Sequence, residues 1–346
     1  MSTRAFPPSS QPRIKIVDVA REPGVSATTV SHALNGRGYV DPRTREAVKA
    51  VAARLGYRPN RIAQQLRSGR TNAIALVSSM PFAVAGGPSR LGFMMEVAAV
   101  AASVALSRKL ALILVPPAEA GALALDDIGI DGALVIEPAA ADRQLARLLQ
   151  RGLPVVTIGK QPGATERLSC VDLHSEATTT QLLTHLAAQG ACRIALLTGT
   201  QQRSPYTEAV SAYAAFAAAR RMKPIVFQGD EKLGEEAGRL TTLEMMARHP
   251  TIDAICAPVD AFAVGAVRAL HELGRSIPGD VKVATRYDGL RARHCNPPLT
   301  ALNLHLEAVA TQAIELLLEQ LDGACQPSRA DGPPAELLAR ESTRRD

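Results

Sequence analysis

Apolar positions along the chain follow two regimes. Between Ile16 and Leu55 they recur at helical spacing in short blocks: Ile16-Val17 with Val19-Ala20, then Val30 with Ala33-Leu34, then Ala47-Val48 with Val51 and Leu55. Turn residues separate the blocks at Pro23-Gly24 and Asn35-Gly36. Ser26 precedes the second block as an N-cap for a helix over 27–34, and Asp41 followed by Pro42 opens the third. Three short helices sharing one small core follow. With Val30, Ala33 and Leu34 turned inward, Ala27, Thr28, Ser31 and His32 are expected outside, on the face that a helix-turn-helix lays into the major groove. The pattern alone also fits any two short amphipathic helices joined by a glycine turn.

From Ala73 the regime changes to short continuous apolar runs alternating with helical stretches. Runs at 73–77, 110–115, 132–136 and 154–158 read as buried strands, with helices at 91–109 and 142–151. A second set follows: helix 176–189, strand 193–197, helix 207–221, strand 224–227, helix 235–248, strand 254–257, helix 261–273 and strand 281–284. This is an α/β pattern of parallel sheets flanked by helices, in two lobes. Residues 301–321 add a strand and a helix that return to the first lobe.

Ligands in open α/β sheets sit beyond the carboxyl ends of strands, which here points to the loops after Val77, Ile136, Ile158, Leu197, Ala257 and Ala284. Asp260 follows such a strand end, and it also suits the N-cap of the next helix. Arg203, Tyr206, Arg286 and Asp288 are nearby polar candidates, although Arg and Tyr generally prefer the surface. Asp172 and His174 fall at the crossover between lobes, where a structural hydrogen bond is the reading preferred.

Charge sharpens the reading of the first regime. Residues 1–70 hold 13 Lys or Arg against 4 Asp or Glu, a net of +9, whereas the whole chain is +6, which leaves −3 for the remaining 276 residues. Basic charge is thus concentrated where phosphate contacts would need it. Trp is absent and aromatics make up 3% of the chain, so aromatic stacking on single-stranded nucleic acid is disfavoured. Residues 1–13 contain Pro7, Pro8, Ser9 and Ser10 without an apolar run, and read as a disordered tail rather than a signal peptide or membrane anchor. A cytoplasmic, nucleoid-associated protein is expected. Cys170, Cys192, Cys256, Cys295 and Cys325 show no CxxC or paired Cys/His spacing, so no metal and no cofactor are expected.

A longer pattern now emerges. Val17-Asp18-Val19-Ala20, Gly24-Val25-Ser26, Thr29-Val30-Ser31, Asn35-Gly36, Thr44-Arg45, the run from Leu55 to Asn60 and the run from Ala63 to Thr71 together resemble the LacI/GalR family of bacterial transcription regulators. Further on, the resemblance continues through the run from Arg193 to Gly199, Asp260 with Gly265-Ala266, the run from Ile277 to Val281, Tyr287-Asp288 and Pro298-Leu299-Thr300. It implies a helix-turn-helix domain over 14–60, a hinge helix or linker over 61–71 and a two-lobed, periplasmic-binding-protein-like domain over 72–322. Lobe 1 would take about 72–171 plus 301–322 and lobe 2 about 172–300, leaving 323–346 as a C-terminal tail with one apolar patch at Leu337-Leu338, part of it read as a last strand and its final residues as loose.

The resemblance implies a homodimer on palindromic double-stranded operator DNA, acting as a repressor and answering to a small-molecule effector, a sugar or related metabolite. Its DNA-contacting residues would be Ser26, Ala27, Thr28, Thr29, Ser31, His32, Asn35, Tyr57, Asn60, Ala63, Gln64, Leu66 and Arg67, with Leu66 wedged into the minor groove. The hinge is too short for a stable helix in water and would fold on the operator. Asp260, Arg286, Asp288, Arg203 and Tyr206 would bind the effector. There are departures: Pro23 in the first helix region, His32 where many members carry Arg, Val259 where Asn is usual, and Ala209 where a cleft Arg is usual. Two other readings of the body are a solute-binding transport receptor and a sugar-modifying enzyme. The first should carry a secretion signal and lack the basic head, and the second should show paired carboxylates, GxSxG or a phosphate-cradling glycine motif.

Overall fold

The computed structural model describes residues 14–36, 38–58, 69–85, 92–115, 127–164, 168–323 and 326–344. The chain divides into one compact unit over Met1–Arg70 and another over Thr71–Asp346. The expected tail over 1–13 lies outside the described residues, as do most of the expected hinge helix and the site candidates Asn60, Ala63, Gln64, Leu66 and Arg67.

The first unit contains α1 (Ile16–Arg21), α2 (Ala27–Asn35) and α3 (Pro42–Leu55). Each begins and ends on local chemistry. The Asp18 carboxylate accepts from the Lys15 amide at 2.8 Å, and the Asp41 carboxylate accepts from the Thr44 amide at 2.9 Å. Gly36 closes α2 in the left-handed conformation (φ 65°), which glycine adopts without a Cβ penalty. Val19, Val30 and Val48 are fully buried and form the centre of a small aliphatic core, with Tyr57 packed at its edge.

The second unit holds two separate parallel sheets. The first contains β1 (Ala73–Ser78), β2 (Ala111–Val115), β3 (Gly132–Ile136), β4 (Val155–Ile158), β5 (Ser169–Asp172) and β11 (Arg329–Asp331), in the order β11-β5-β4-β3-β1-β2. The helix α4 (Phe82–Ala85) follows β1; α5 (Phe93–Ser107), α6 (Arg143–Gln150) and α12 (Leu306–Leu321) complete this lobe. The second sheet runs β7-β6-β8-β9, from β6 (Ile194–Gly199), β7 (Val226–Gly229), β8 (Ala254–Ala257) and β9 (Lys282–Thr285). Around it lie α7 (Ser175–Ala188), α8 (Ser204–Ala219), α9 (Glu235–Arg248), α10 (Asp260–Glu272) and α11 (Leu290–Arg293). Strands buried on both faces explain the continuous apolar runs. Helix α8 starts earlier than its periodicity suggested, because Pro205 is tolerated in the first turn, where its missing N–H has no partner to lose.

The chain leaves lobe 1 after β5 and returns after β10 (Ala301–Asn303) through two turns of the same construction. At Asp172-Leu173-His174, the Asp172 carboxylate accepts from the His174 amide at 2.9 Å; at Asn303-Leu304-His305, the Asn303 side chain accepts from the His305 amide at 2.9 Å. Both histidines are left-handed, with φ of 49° and 51°. The expected hydrogen bond at Asp172 and His174 is therefore a local turn.

Within 323–346 the expected last strand is two strands, and the end expected to be loose is held by hydrogen bonds as far as Arg344. Strand β11 extends the first sheet beside β5, and β12 (Glu336–Leu338) pairs antiparallel with β10. Beyond it the Ser342 hydroxyl donates to the Val283 carbonyl at 2.6 Å and accepts from the Thr300 amide at 2.8 Å. Three-residue strands leave little periodicity to read, and the apolar pair Leu337-Leu338 was the signal for β12.

Helices α9 and α10 pack with their backbones in contact at Gly238 and Gly265, where a Cβ would run into the carbonyl oxygens of Phe262 and Glu235. Gly265→Ala is therefore expected to destabilise the second unit by about 1–3 kcal/mol in urea unfolding. Gly274→Ala, where φ is +67° but the space beside it is open, tests backbone strain without overpacking.

Candidate functional site

Helix α2 carries an exposed polar face. The Ser26 hydroxyl accepts from the Thr29 amide at 3.0 Å, fixing the first turn. Thr28 and Asn35 are exposed, while Ala27, Thr29 and His32 are half-buried. Ser31 corrects the expected outer face, since it is only 8% exposed. It follows Val30 and precedes Leu34 on the i, i+3, i+4 stripe that meets the core. The Asn35 amide turns back to donate to the Ser31 carbonyl at 2.8 Å. Tyr57 packs against the head core, and burial pushes its phenol pKa up. Tyr39, which periodicity did not single out, is 97% exposed. Its signal was an aromatic residue in a turn, in a chain poor in aromatics.

A second candidate lies between the two lobes, at the carboxyl ends of β1, β3, β8 and β9. Met80, Val84, Phe93, Met94 and Ile136 supply one apolar wall, and Pro205, Pro258 and Val259 the other. Ser78, Glu137, Asp260, Arg286 and Tyr287 bring polar groups to the same cavity. Its free volume is about 30 Å³, the space of roughly one water molecule.

Side chains fill the remainder by reaching across. Arg203, 2% exposed, donates from Nη1 to the Glu137 carbonyl at 2.8 Å and to the Ser79 hydroxyl at 2.9 Å, while its Nε stands 3.2 Å from the Glu231 carboxylate. Arg286, 3% exposed, donates to the Glu137 carboxylate and, at 2.8 Å, to the Ser175 hydroxyl. Arg291 donates to the Val84 and Ala83 carbonyls at 2.9 and 3.1 Å. Tyr287 donates its hydroxyl to Glu96. The surface position that general preferences gave Arg203, Tyr206 and Arg286 is therefore wrong: all three are buried. Each arginine found acceptors on both lobes, which a sequence does not display.

Asp260 is the first residue of α10 rather than its cap. One carboxylate oxygen accepts from the Ala261 amide at 2.8 Å and from Arg291 at 3.4 Å; the other is buried without a hydrogen-bond partner. Burial pushes the carboxyl above its ordinary 3.8, against the opposing pull of Arg291 and the Ala261 amide. Tyr206 lies beneath the site, where burial, with Glu231 beside it, raises its phenol pKa well above the ordinary value. Asp288 faces away, into ion pairs with Arg293 at 3.0 Å and Arg340 at 2.5 Å. Ala209 is wholly buried in the core of α8. Glu137, Arg291 and Glu96 were not anticipated; a charged residue just after an apolar strand run was the available signal for Glu137.

Among the described residues, Asp172, His174 and Asp331 bring possible ligand atoms within 4.8 Å of one another, a grouping invisible to short-range spacing. Arg329 and Lys160 already pair with Asp172. Burial raises that carboxyl, but the His174 amide and these two cations outweigh it and hold its pKa below the ordinary value.

Comparison with known proteins places this geometry. Residues 15–60 match the family described as bacterial regulatory proteins of the lacI family, and residues 183–343 match the periplasmic binding protein-like domain. The transcriptional regulator CelR of Thermobifida fusca is 31% identical over 336 residues, covering 94% of this chain and 96% of the relative. The HTH-type transcriptional repressor PurR of Glaesserella parasuis is 28% identical over 350 residues, covering 95% of this chain and 98% of the relative. A solved CelR–cellobiose complex is similar with a TM-score of 0.69 at 28% identity, covering 95% of this chain and 100% of that one. The lac repressor dimer bound to operator shares the fold, with a TM-score of 0.76 at 23% identity over 96% of this chain and 99% of that one.

The raised Asp260 pKa has a pH signature. Burial makes this carboxyl harder to ionise in the folded chain than in the unfolded one, so the stability present below the unfolded value is lost as pH rises through the higher folded value. Asp260→Asn, which cannot ionise, is expected to gain melting temperature over the wild type as pH climbs from 3.8 towards neutrality. A gap that stays constant with pH would assign the effect to packing alone.

Proposed function

The chain belongs to the LacI family of bacterial transcription regulators, a DNA-binding regulator and not an enzyme, and we propose that it represses transcription as a homodimer on a palindromic operator, under control of a small molecule in the interlobe cleft. The observation that carries this reading is α2, a helix capped at both ends that offers Thr28, His32 and Asn35 from a basic head. One such module buries too little surface for specific affinity; two related by a dyad fit a palindrome one helical turn apart. The segment around Leu66 would then enter the minor groove. The exposed Tyr39 adds a candidate contact beside α2. Such a protein works in the cytoplasm, on the nucleoid.

For the cleft, support comes from strand-end residues of both lobes converging on one cavity and from the cellobiose bound to the CelR relative. A sugar or related metabolite is the proposed effector class, with Asp260 and Arg286 as contacts and Arg203 and Tyr206 behind them. Asp288 contributes by orienting the β9–α11 turn through its arginines. Val259 replaces an amide with an apolar wall, which alters the hydrogen bonds a sugar would find.

Selection of duplexes from a random pool by the full chain tests the DNA reading, and a two-fold symmetric consensus is the expected result. Thr28→Ala and His32→Ala should each cost about 1–3 kcal/mol in operator affinity by fluorescence anisotropy and relax preference at one base pair of each half-site. Enrichment without symmetry, or variants that weaken all sequences equally, would sink it.

A further inference from the structure

Among the described residues, three buried arginines reach from lobe 2 across the cleft, and they differ in what they keep if the lobes part. Arg203 keeps Glu231, 3.2 Å away on its own lobe. Arg291 keeps Asp260 at 3.4 Å and Glu235 at 3.6 Å, also on its own lobe. Arg286 has only the neutral Ser175 hydroxyl on its side, and its carboxylate partner, Glu137, belongs to lobe 1. Its Nε is buried without a partner even in the closed arrangement.

A ligand of sugar size cannot fit in about 30 Å³, so its entry requires the lobes to separate and the Glu137–Arg286 pair to break. A guanidinium would then face the cavity without a counterion, which is costly at a buried site. Across the same cavity, Asp260 offers a buried carboxylate oxygen in need of a donor. Glu137 itself is held with a left-handed backbone (φ 39°), its carbonyl on Arg203 and its carboxylate on Arg286. Strained residues of this kind persist where the surroundings over-determine them.

We propose that the effector is an acidic sugar, carrying a carboxylate or a phosphate that takes the place of Glu137 on Arg286 while one of its hydroxyls donates to Asp260. The proposal rests on reading the cleft as the effector site. An anion supplies the charge and the paired acceptor oxygens that a guanidinium fork requires, whereas a neutral sugar leaves Arg286 uncompensated. Glu137 is thus an internal competitor, and the protein binds its ligand by exchanging one carboxylate for another anion.

The test is calorimetric titration of the full chain with D-glucuronate, D-glucose 6-phosphate and D-glucose, on the wild type and on Glu137→Gln, Arg286→Gln, Arg286→Lys and Asp260→Ala. In Glu137→Gln, which removes the competitor, an acidic sugar should bind roughly ten-fold tighter than glucose, with the same order and weaker affinity in the wild type. The preference should vanish in Arg286→Gln and survive in part in Arg286→Lys, which keeps the charge if the glutamine variant does not fold. Which acid binds better tells carboxylate from phosphate. Glucose binding as tightly as the acids in Glu137→Gln, acid binding indifferent to Arg286, or no binding of any of the three to Glu137→Gln overturns the proposal. Acid binding that is unchanged both in Arg286→Gln and in Asp260→Ala, which unlike asparagine leaves no acceptor, would instead place the ligand outside the cleft and overturn the reading of the cleft on which the proposal rests.

Discussion

A guanidinium withdrawn from water must find acceptors, and in the larger unit Arg203, Arg286 and Arg291 find theirs on the facing lobe. Their partners are mostly carbonyls at the ends of strands or in the first turn of a short helix, together with a serine hydroxyl and the Glu137 carboxylate. Such bonds are strong in the closed cleft because water is excluded and geometry is fixed. They are also all-or-none: a shift of an ångström or two between lobes breaks several together. The two β-sheets supply the frames from which these side chains reach across the cleft.

The entry to lobe 1 is held by another carboxylate. Asp131 accepts from the Thr71 amide at 2.7 Å, from the Thr71 hydroxyl at 2.9 Å and from the Asn72 amide at 2.7 Å. One carboxylate therefore fixes the chain just where the second unit begins, at the start of β1, which lies next to the edge strand β2.

Legibility in the sequence tracked the range of the interaction. The head was readable because caps, turn glycines and apolar spacing act within four or five residues; Ser26, Gly36, Asp41 and Pro42 do what their types suggest. Even there, Ser31 was misplaced, because a small polar residue on the inward stripe carries no hydropathy signal. The α/β alternation was readable because strands buried on both faces are uniformly apolar. Cleft residues were readable as strand-end positions but not as partners: Arg286 meets Glu137 from 149 positions away, and an arginine's default is the surface. Asp288 stood beside a matching motif and yet pairs backwards, with Arg293 and Arg340.

The segment over 326–344 is a strand in one lobe, a strand beneath the other and a hydroxyl plug between β9 and the loop before β10. A chain emerging from the ribosome closes the head's core as soon as Tyr57 is available. The six-stranded sheet of lobe 1 must wait for β11 and the β10 strand for its partner β12, whereas the four-stranded sheet of lobe 2 is complete at β9. During synthesis, the part equipped to find DNA exists well before the part equipped to restrain it, and that order is written into the path of the chain.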